Sequence, residues 1–210
     1  MTTAAFILII VAAGAAMIDW WAVLGDRLGL EFLAKPLVII ALIGVALAVE
    51  TNDNVVRGSV IAALGASLVG DVVLMTPDAR FAAGLFAVIV AHLLYIAALA
   101  RDFQSEPALV GAVVVVGVAF GVVPELMEAV RPKGQLITRA IQLYIVVACV
   151  MAVIAVGTTV VVAAVGAALF VASDALLAWN RFVRPAPGGR VLVHVLYHCA
   201  QGSLVLWLVV

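Results

Sequence analysis

Residues 67–75 read Ser-Leu-Val-Gly-Asp-Val-Val-Leu-Met, so the carboxyl group of Asp71 lies inside an apolar run. Residues 170–177 read Phe-Val-Ala-Ser-Asp-Ala-Leu-Leu and repeat this arrangement around Asp174. A charged side chain at the centre of a membrane helix costs about 2.5–3.5 kcal/mol on insertion scales, so a carboxyl kept there indicates a functional site. Of the twelve acidic residues, we expect only these two to lie within apolar segments. The alternative is that each carboxyl only hydrogen-bonds to a neighbouring helix.

The composition is typical of a membrane protein. Hydrophobic residues make up 67% of the 210 residues and charged residues 11%, against about 25% charged residues in soluble domains. The net charge of −1 and the lack of a long basic run exclude nucleic acid as a partner. Cys149 and Cys199 both fall in apolar segments, so no disulfide framework is predicted. We therefore predict an integral membrane protein whose partner is the lipid bilayer.

Eight stretches are long enough to cross a bilayer, which takes roughly 20 mostly apolar residues. They are residues 4–21, 33–49, 55–76, 81–100, 107–123, 136–155, 158–178 and 191–210. Gly157 and two threonines are all that separates the sixth stretch from the seventh. The pattern predicts an all-α fold, a polytopic membrane bundle of eight transmembrane helices, with residues 1–210 forming a single transmembrane domain.

The distribution of Lys and Arg predicts the orientation, because cytoplasmic loops carry an excess of both. Nine lie at one end of the predicted helices: Arg27, Lys35, Arg80, Arg131, Lys133, Arg139, Arg181, Arg184 and Arg190. The other end has only Arg57 and Arg101. We expect a multi-pass protein of the plasma membrane, with the arginine-rich loops in the cytoplasm and both termini outside.

The last predicted helix carries a polar stripe. His194, Tyr197, His198 and Gln201 stand at i, i+3, i+4 and i+7, which is one helical face. That face should point into the bundle, because lipid offers these groups no partners. Lys35, Gln142 and Tyr144 fall in the same half of the membrane. A catalytic cluster explains this pattern, and so does a polar seam that joins helices at on the order of 0.6 kcal/mol per bond.

An internal repeat accompanies the two aspartates. Each is followed by a His-x-x-Tyr tetrad, 21 residues on at His92 and 20 residues on at His194. Basic residues precede them at similar distances, 36 residues for Lys35 and 35 for Arg139. Each half would contain four helices, and an even number makes the halves parallel, related by an axis along the membrane normal. The pattern therefore indicates two parallel four-helix repeats with the aspartates at equal depth.

Six short motifs along the chain carry a family resemblance. They are Lys35-Pro36, Gly70-Asp71-x-x-Leu74-Met75, Phe81-x-x-Gly84, His92-x-x-Tyr95, Leu169-Phe170-x-x-Ser173-Asp174 and Tyr197-x-x-x-Gln201. The set resembles the YhhN-like lysoplasmalogenases over nearly the whole chain. The resemblance implies eight transmembrane helices and hydrolysis of the vinyl-ether bond of lysoplasmalogens, giving a fatty aldehyde and a glycerophospho-alcohol. It also implies that Asp71 and Asp174 are the family's two essential aspartates, whereas His198 stands where we expect an aromatic or small residue.

The chemistry of vinyl-ether cleavage fits a pair of carboxyls. The ether is protonated on carbon and the resulting oxocarbenium ion is trapped by water, so the site needs a proton donor and an anionic stabiliser or base. Two carboxyls in a low-dielectric pocket are driven towards different protonation states. We expect both Asp71 and Asp174 to be catalytic, with the slightly deeper Asp71 protonated, and we expect no cofactor or metal ion.

The remaining polar residues of the cluster are predicted to bind a lysophospholipid substrate. It would enter from the membrane with its phosphate near Lys35 or Arg139. The predicted substrate-binding residues are Lys35, His92, Tyr95, Arg139, Gln142, His194, Tyr197, His198 and Gln201.

Other functions are compatible with the same residues. Parallel repeats with intramembrane carboxyls are typical of transport proteins, so a proton- or ion-coupled carrier is one alternative. A zinc-dependent intramembrane lipid hydrolase is another, with His194 and His198 on one helical face and His92 and Asp71 completing the ligand set. A non-catalytic scaffold is the third.

Overall fold

The computed structural model describes residues 1–51, 53–76 and 81–210. Within those ranges the chain forms eight α-helices and no strands. The helices are α1 (Thr3–Leu24), α2 (Leu28–Ala48), α3 (Asn54–Leu74), α4 (Phe81–Leu99), α5 (Ser105–Val130), α6 (Gln135–Gly157), α7 (Val161–Phe182) and α8 (Gly189–Leu206). All eight are long and apolar enough to cross a membrane. The predicted all-α polytopic bundle is confirmed.

Four helices extend at least three residues beyond the predicted stretches. α1 ends at Leu24 rather than residue 21. α2 begins at Leu28 rather than residue 33 and continues through Pro36. α5 continues through Pro124 to Val130 instead of ending at residue 123. Proline removes one backbone hydrogen bond and usually ends a helix, but membrane helices tolerate it where neighbouring groups satisfy the freed carbonyl. α7 also runs on from residue 178 to Phe182, and these extensions bring further polar side chains into the bundle.

The helices pack in the same order in both halves of the chain. α1 pairs with α2 and α3 with α4, and likewise α5 pairs with α6 and α7 with α8. α4 joins the halves through α6, while α8 packs on α1, α2 and α3. Helices that follow one another in sequence usually pack together, so the parallel repeat stays a prediction. A superposition of residues 1–100 on 107–210 is the direct test, and we expect it to pair Asp71 with Asp174.

Polar contacts gather at the two ends of the bundle. At one end, the Arg101 guanidinium lies 2.7 Å from the carboxylate of Asp53, which caps α3. Hydrogen bonds from the backbone N–H groups of Val56 and Val55, with Arg101 beside them, lower the pKa of this exposed carboxyl. At the other end, Arg190 pairs with Asp26 at 2.7 Å. Alternate loops therefore lie at the same end, as a bundle of membrane-spanning helices requires.

Candidate active site

Close packing of α3 against α4 fixes the position of Asp71. A Cβ atom on Gly70 would lie 2.9 Å from Val88 Cγ2, and one on Gly84 would lie 2.6 Å from Leu74 Cγ. Neither position has room for a larger side chain, so both glycines allow the two helices to touch. This contact holds the end of α3 and its aspartate against the centre of the bundle.

Asp71 is buried and fully paired. The Lys35 ammonium lies 2.9 Å from Oδ1, and the Tyr197 hydroxyl donates to Oδ2 at 2.6 Å. Lys35 Nζ also lies 5.2 Å from the centre of the Tyr197 ring, within the range of a cation–π contact. An ammonium ion and a hydroxyl donor both stabilise the charged carboxylate. Asp71 is therefore placed as an anion.

Asp174 has different partners. The Tyr144 hydroxyl donates to its Oδ2 at 2.6 Å, and His92 Nε2 lies 3.7 Å from the same oxygen. His92 Nδ1 is 2.9 Å from the Val88 carbonyl oxygen. A carbonyl oxygen only accepts, so the proton of this imidazole is on Nδ1 and Nε2 has a free lone pair. Among the described residues, Asp174 makes no ion pair with a Lys or Arg.

The two aspartates are nevertheless related by the order of the helices. Asp71 is contacted from α2 by Lys35 and from α8 by Tyr197. Asp174 is contacted from α6 and α4, which are the helices that correspond to α2 and α8 in a four-helix repeat. The framework is thus similar in the two halves, whereas the partner side chains are not.

Both aspartates line one polar cavity of about 300 Å³. Its other polar lining includes Glu31, Lys35, Ser67, Asn180, Arg190, His194 and Tyr197. Half of the Arg190 side chain is exposed, so this residue lies at the edge of the cavity. The buried Ser67 hydroxyl has no protein partner for a hydrogen bond. One polar chamber therefore contains two carboxyls with different surroundings.

A second cavity of about 300 Å³ adjoins the first. It lies between α4, α5, α6 and α7, and its lining is almost wholly apolar. Leu74, Val88, Asp174 and Leu177 line both cavities. Asp174 is therefore at the junction of a polar chamber and an apolar one.

Several predicted binding residues lie outside these cavities. Tyr95 and Gln201 are fully buried and bond to each other, with the hydroxyl donating to Oε1 at 2.5 Å, which links α4 to α8. His198 accepts a hydrogen bond from Trp20 Nε1 at 3.1 Å. Lys35, His194 and Tyr197 line the polar chamber as predicted, and His92 contacts Asp174 directly.

Arg139 and Gln142 lie apart from the other predicted binding residues. Both side chains are exposed on α6 and line neither cavity. At 3.6 residues per turn, Gln142 points about 200° away from Tyr144, the residue by which α6 reaches the site. The polarity of a side chain in a membrane helix did not by itself indicate its face.

Two buried acidic residues contradict the prediction that only Asp71 and Asp174 lie within apolar helices. Asp19 has no exposed surface, and its Oδ2 lies 2.6 Å from His194 Nδ1. Glu31 is 6% exposed and accepts a hydrogen bond from Arg190 Nη2 at 2.8 Å. Asp19 precedes two tryptophans that resemble a helix end, and Glu31 lies before the predicted start of α2. Asp19 already falls inside the predicted stretch 4–21, and the earlier start of α2 brings Glu31 into the bundle as well.

The predicted zinc ligands are not assembled in one place. His92 contacts Asp174 on one side of the polar chamber, whereas His194 and His198 lie beside Asp19. Across residues 1–51, 53–76 and 81–210 there is no group of three or more His, Cys, Asp or Glu side chains that could hold a metal ion.

Fold and site together define a polytopic helical membrane protein with a pair of carboxyls in an intramembrane cavity. The model of the YhhN family matches residues 30–208, which is most of the chain. The chain belongs to the YhhN family, and the resemblance drawn from its motifs is confirmed. No curated protein and no solved structure matches it. Membership supports a lysoplasmalogenase-type function at the level of the family.

Proposed function

We propose that this protein hydrolyses the vinyl-ether bond of lyso-ether phospholipids to a fatty aldehyde and a glycerophospho-alcohol. The meeting of the polar and apolar cavities at Asp174 carries the proposal. A single-chain lyso-ether lipid has the same two parts, an apolar chain and a polar glycerophosphate, and its vinyl ether joins them. With the chain in the apolar cavity and the glycerol in the polar one, the reactive bond lies beside Asp174.

We assign the role of proton donor to Asp174. The lone pair of His92 Nε2 faces its carboxyl group, and no Lys or Arg in the described ranges forms an ion pair with it, so a charge is less well stabilised there than on Asp71. At 3.7 Å this contact is too long for a hydrogen bond, but a neutral carboxyl avoids the repulsion that a carboxylate would meet beside the lone pair. This assignment reverses the expectation drawn from sequence, in which Asp71 is the protonated carboxyl. The donated proton goes to the vinyl carbon on the chain side of the double bond.

We assign the role of cation stabiliser to Asp71. Lys35 and Tyr197 hold it as a carboxylate in the same chamber, where a developing oxocarbenium ion meets a fixed negative charge. Carboxyl pairs in glycosidases divide their work in a similar way on a related cation. The two aspartates thus perform different steps, which explains why their partners differ.

The phosphate of the substrate is assigned to Arg190 rather than to Lys35 or Arg139. Arg190 pairs with Asp26 and Glu31 but lies half exposed at the edge of the polar chamber, whereas Lys35 is largely buried beside Asp71. A guanidinium binds phosphate oxygens with two donors at once. Asn180 lines the same chamber, and Ser67 offers a hydroxyl to the glycerol.

The lipid would enter sideways from the bilayer. α5 is the least buried helix around the apolar cavity, with exposed Val113, Val114 and Phe120. The bias of Lys and Arg puts the polar chamber near the cytoplasmic leaflet of the plasma membrane, with both termini outside. The partners proposed are therefore a lysophospholipid and the bilayer itself.

A substrate panel tests the proposal. The purified protein is incubated with a vinyl-ether lysophospholipid, the saturated alkyl-ether analogue and the acyl-ester analogue, and aldehyde and water-soluble products are measured. We expect hydrolysis of the vinyl ether alone, because the other two lipids have no carbon–carbon double bond next to the oxygen at which protonation would give an oxocarbenium ion. EDTA should leave the rate unchanged, since the chemistry proposed needs only carboxyls and water.

The control is Asp102→Asn, which makes the same chemical change at an exposed position far from the chamber. It should keep the full rate. Loss of activity with EDTA that zinc restores would favour a metal hydrolase instead. Absence of hydrolysis together with uptake of a solute into proteoliposomes would favour a carrier.

A further inference from the structure

A second set of buried acidic and imidazole groups adjoins the polar chamber. Asp19, on α1, has no exposed surface and approaches His194 Nδ1 at 2.6 Å. On the opposite side of the same ring, His194 Nε2 lies 3.7 Å from Glu31 Oε1. His194 and Glu31 both line the chamber that contains the two aspartates, whereas Asp19 lies behind the ring. Asp19, His194 and Glu31 thus form a row that leads from the bundle interior to the chamber.

The contact with Asp19 defines the tautomer of His194. A carboxylate only accepts hydrogen bonds, so the imidazole donates from Nδ1, and in its neutral form it presents the lone pair of Nε2 on the chamber side. The 3.7 Å from Nε2 to Glu31 is too long for a direct hydrogen bond. Both residues line the chamber, where one water can bond to both atoms from the side. Arg190 holds Glu31 in place at 2.8 Å.

We propose that Asp19 and His194 activate the water that completes vinyl-ether hydrolysis, with Glu31 as its second anchor. This inference rests on the proposed function and supplies the base for its second step. His194 is the catalytic base, because its Nε2 faces the water. Asp19 is a positioning residue, because it acts through the imidazole.

The protons balance over the cycle. Asp174 gives its proton to the vinyl carbon, and the C=C π electrons form the new C–H bond while the ether oxygen shares its lone pair with the adjacent carbon. Water then adds to that carbon, and its released proton moves to His194 Nε2. The hemiacetal collapses when its carbon–oxygen bond to glycerol breaks. His194 returns its proton to the departing glycerol oxygen, and the hemiacetal hydroxyl proton goes to Asp174, which restores both groups.

Asp19 lies ahead of residues 30–208, the part of the chain that the family model matches. The contact between Asp19 and His194 is therefore inferred from the structure of this chain and not from the family match. The buried Oδ1 of Asp19 has no hydrogen-bond partner. An unpaired carboxylate oxygen inside a bundle lowers the stability of the fold. The need to orient a catalytic imidazole explains why a destabilising buried carboxylate is kept at this position.

Deuterium exchange into unreacted substrate tests the proposal. When water addition is slowed but protonation is intact, the oxocarbenium ion returns to vinyl ether and carries solvent hydrogen back with it. In D₂O, His194→Gln should lower kcat by about 10²-fold or more, and the recovered vinyl ether should contain deuterium at the carbon that Asp174 protonates. Asp19→Asn should show the same exchange with a smaller loss of kcat. The wild-type protein should return substrate without deuterium.

Asp102→Asn is the control, because it repeats the chemical change of Asp19→Asn at an exposed position far from the chamber. It should retain the wild-type kcat and show no exchange. Binding of the saturated alkyl-ether lysophospholipid should be unchanged in all three variants, which shows that they fold.

Wild-type kcat in folded His194→Gln, or a lowered kcat without deuterium in the recovered lipid, would overturn the role of His194 while leaving the proposed function in place. A wild-type protein that leaves the vinyl ether intact would overturn both.

Discussion

Asp71 and Asp174 share a residue type and a chamber but not their partners. A lysine and a tyrosine hold Asp71 as an anion, whereas Asp174 lies between the Tyr144 hydroxyl and an imidazole lone pair. Environment rather than residue type therefore separates their roles, as is general for catalytic carboxyl pairs.

Changing either aspartate to asparagine should lower the rate of vinyl-ether hydrolysis by about 10²–10⁴-fold, the usual contribution of acid–base catalysis. The double variant should be little slower than the worse single one, because groups that act as a unit are not additive. Steady-state kinetics on the purified variants measures both effects. Multiplied losses in the double variant would instead indicate two independent sites.

At this scale the sequence predicts the two central aspartates because each interrupts an apolar run. It does not predict Asp19 or Glu31, since both lie where the apolar pattern weakens near a helix end. Nor does it separate His194, which lines the chamber, from His198 on the same stripe, which instead bonds to Trp20. Two side chains one turn apart on a helix have different contacts only because different neighbouring helices pack against them, and the sequence does not show that packing.

Among the helices, the α3–α4 contact is the one on which the position of Asp71 depends. Gly70 and Gly84 permit it, and their places in the two motifs Gly70-Asp71 and Phe81-x-x-Gly84 follow from that packing. The proline positions show the limit of sequence patterns at this scale. Pro124 directly follows the predicted end of the fifth stretch at residue 123, yet α5 continues through it, and α2 likewise contains Pro36. Membrane helices tolerate proline where neighbouring groups satisfy the freed carbonyl.

Gly84→Leu should destabilise the bundle and lower activity. Its Cβ would lie 2.6 Å from Leu74 Cγ, and overpacking of this kind costs about 1–3 kcal/mol. Gly117→Leu is the matched control, because no atom lies within 4 Å of a Cβ at that exposed position on α5. Thermal melting in detergent should show a lower Tm for the first variant only. Equal melting temperatures would mean that α3 and α4 do not touch at Gly84.

The whole molecule combines two four-helix halves, and the polar chamber lies where they meet. The sequence indicates the number of helices and the pairing of the aspartates, because hydropathy and spacing are local properties. It does not indicate the apolar cavity, since that volume is enclosed by α4, α5, α6 and α7 together and by no single motif. The junction at Asp174, on which the proposed function depends, is visible only in three dimensions.

Orientation in the membrane can be tested by labelling from outside the cell. Cys149 and Cys199 are first replaced by alanine, and a single cysteine is introduced at Asp102 or at Pro187, which are exposed at opposite ends of the bundle. A membrane-impermeant maleimide should label position 102 in intact cells and label position 187 only after lysis, as the excess of Lys and Arg predicts. The opposite pattern would place the chamber near the outer leaflet.

The most direct measurement follows the origin of the new hydrogen in the product. A vinyl-ether lysophospholipid is hydrolysed by the purified protein in D₂O. The aldehyde is trapped at once as a hydrazone, whose mass is measured by mass spectrometry. Protonation on carbon predicts one deuterium on the carbon next to the aldehyde in the wild-type product, and aldehyde release lowered by about 10²-fold or more in Asp174→Asn. Aldehyde without deuterium, or aldehyde released at the wild-type rate by folded Asp174→Asn, would contradict catalysis by this pair of carboxyls.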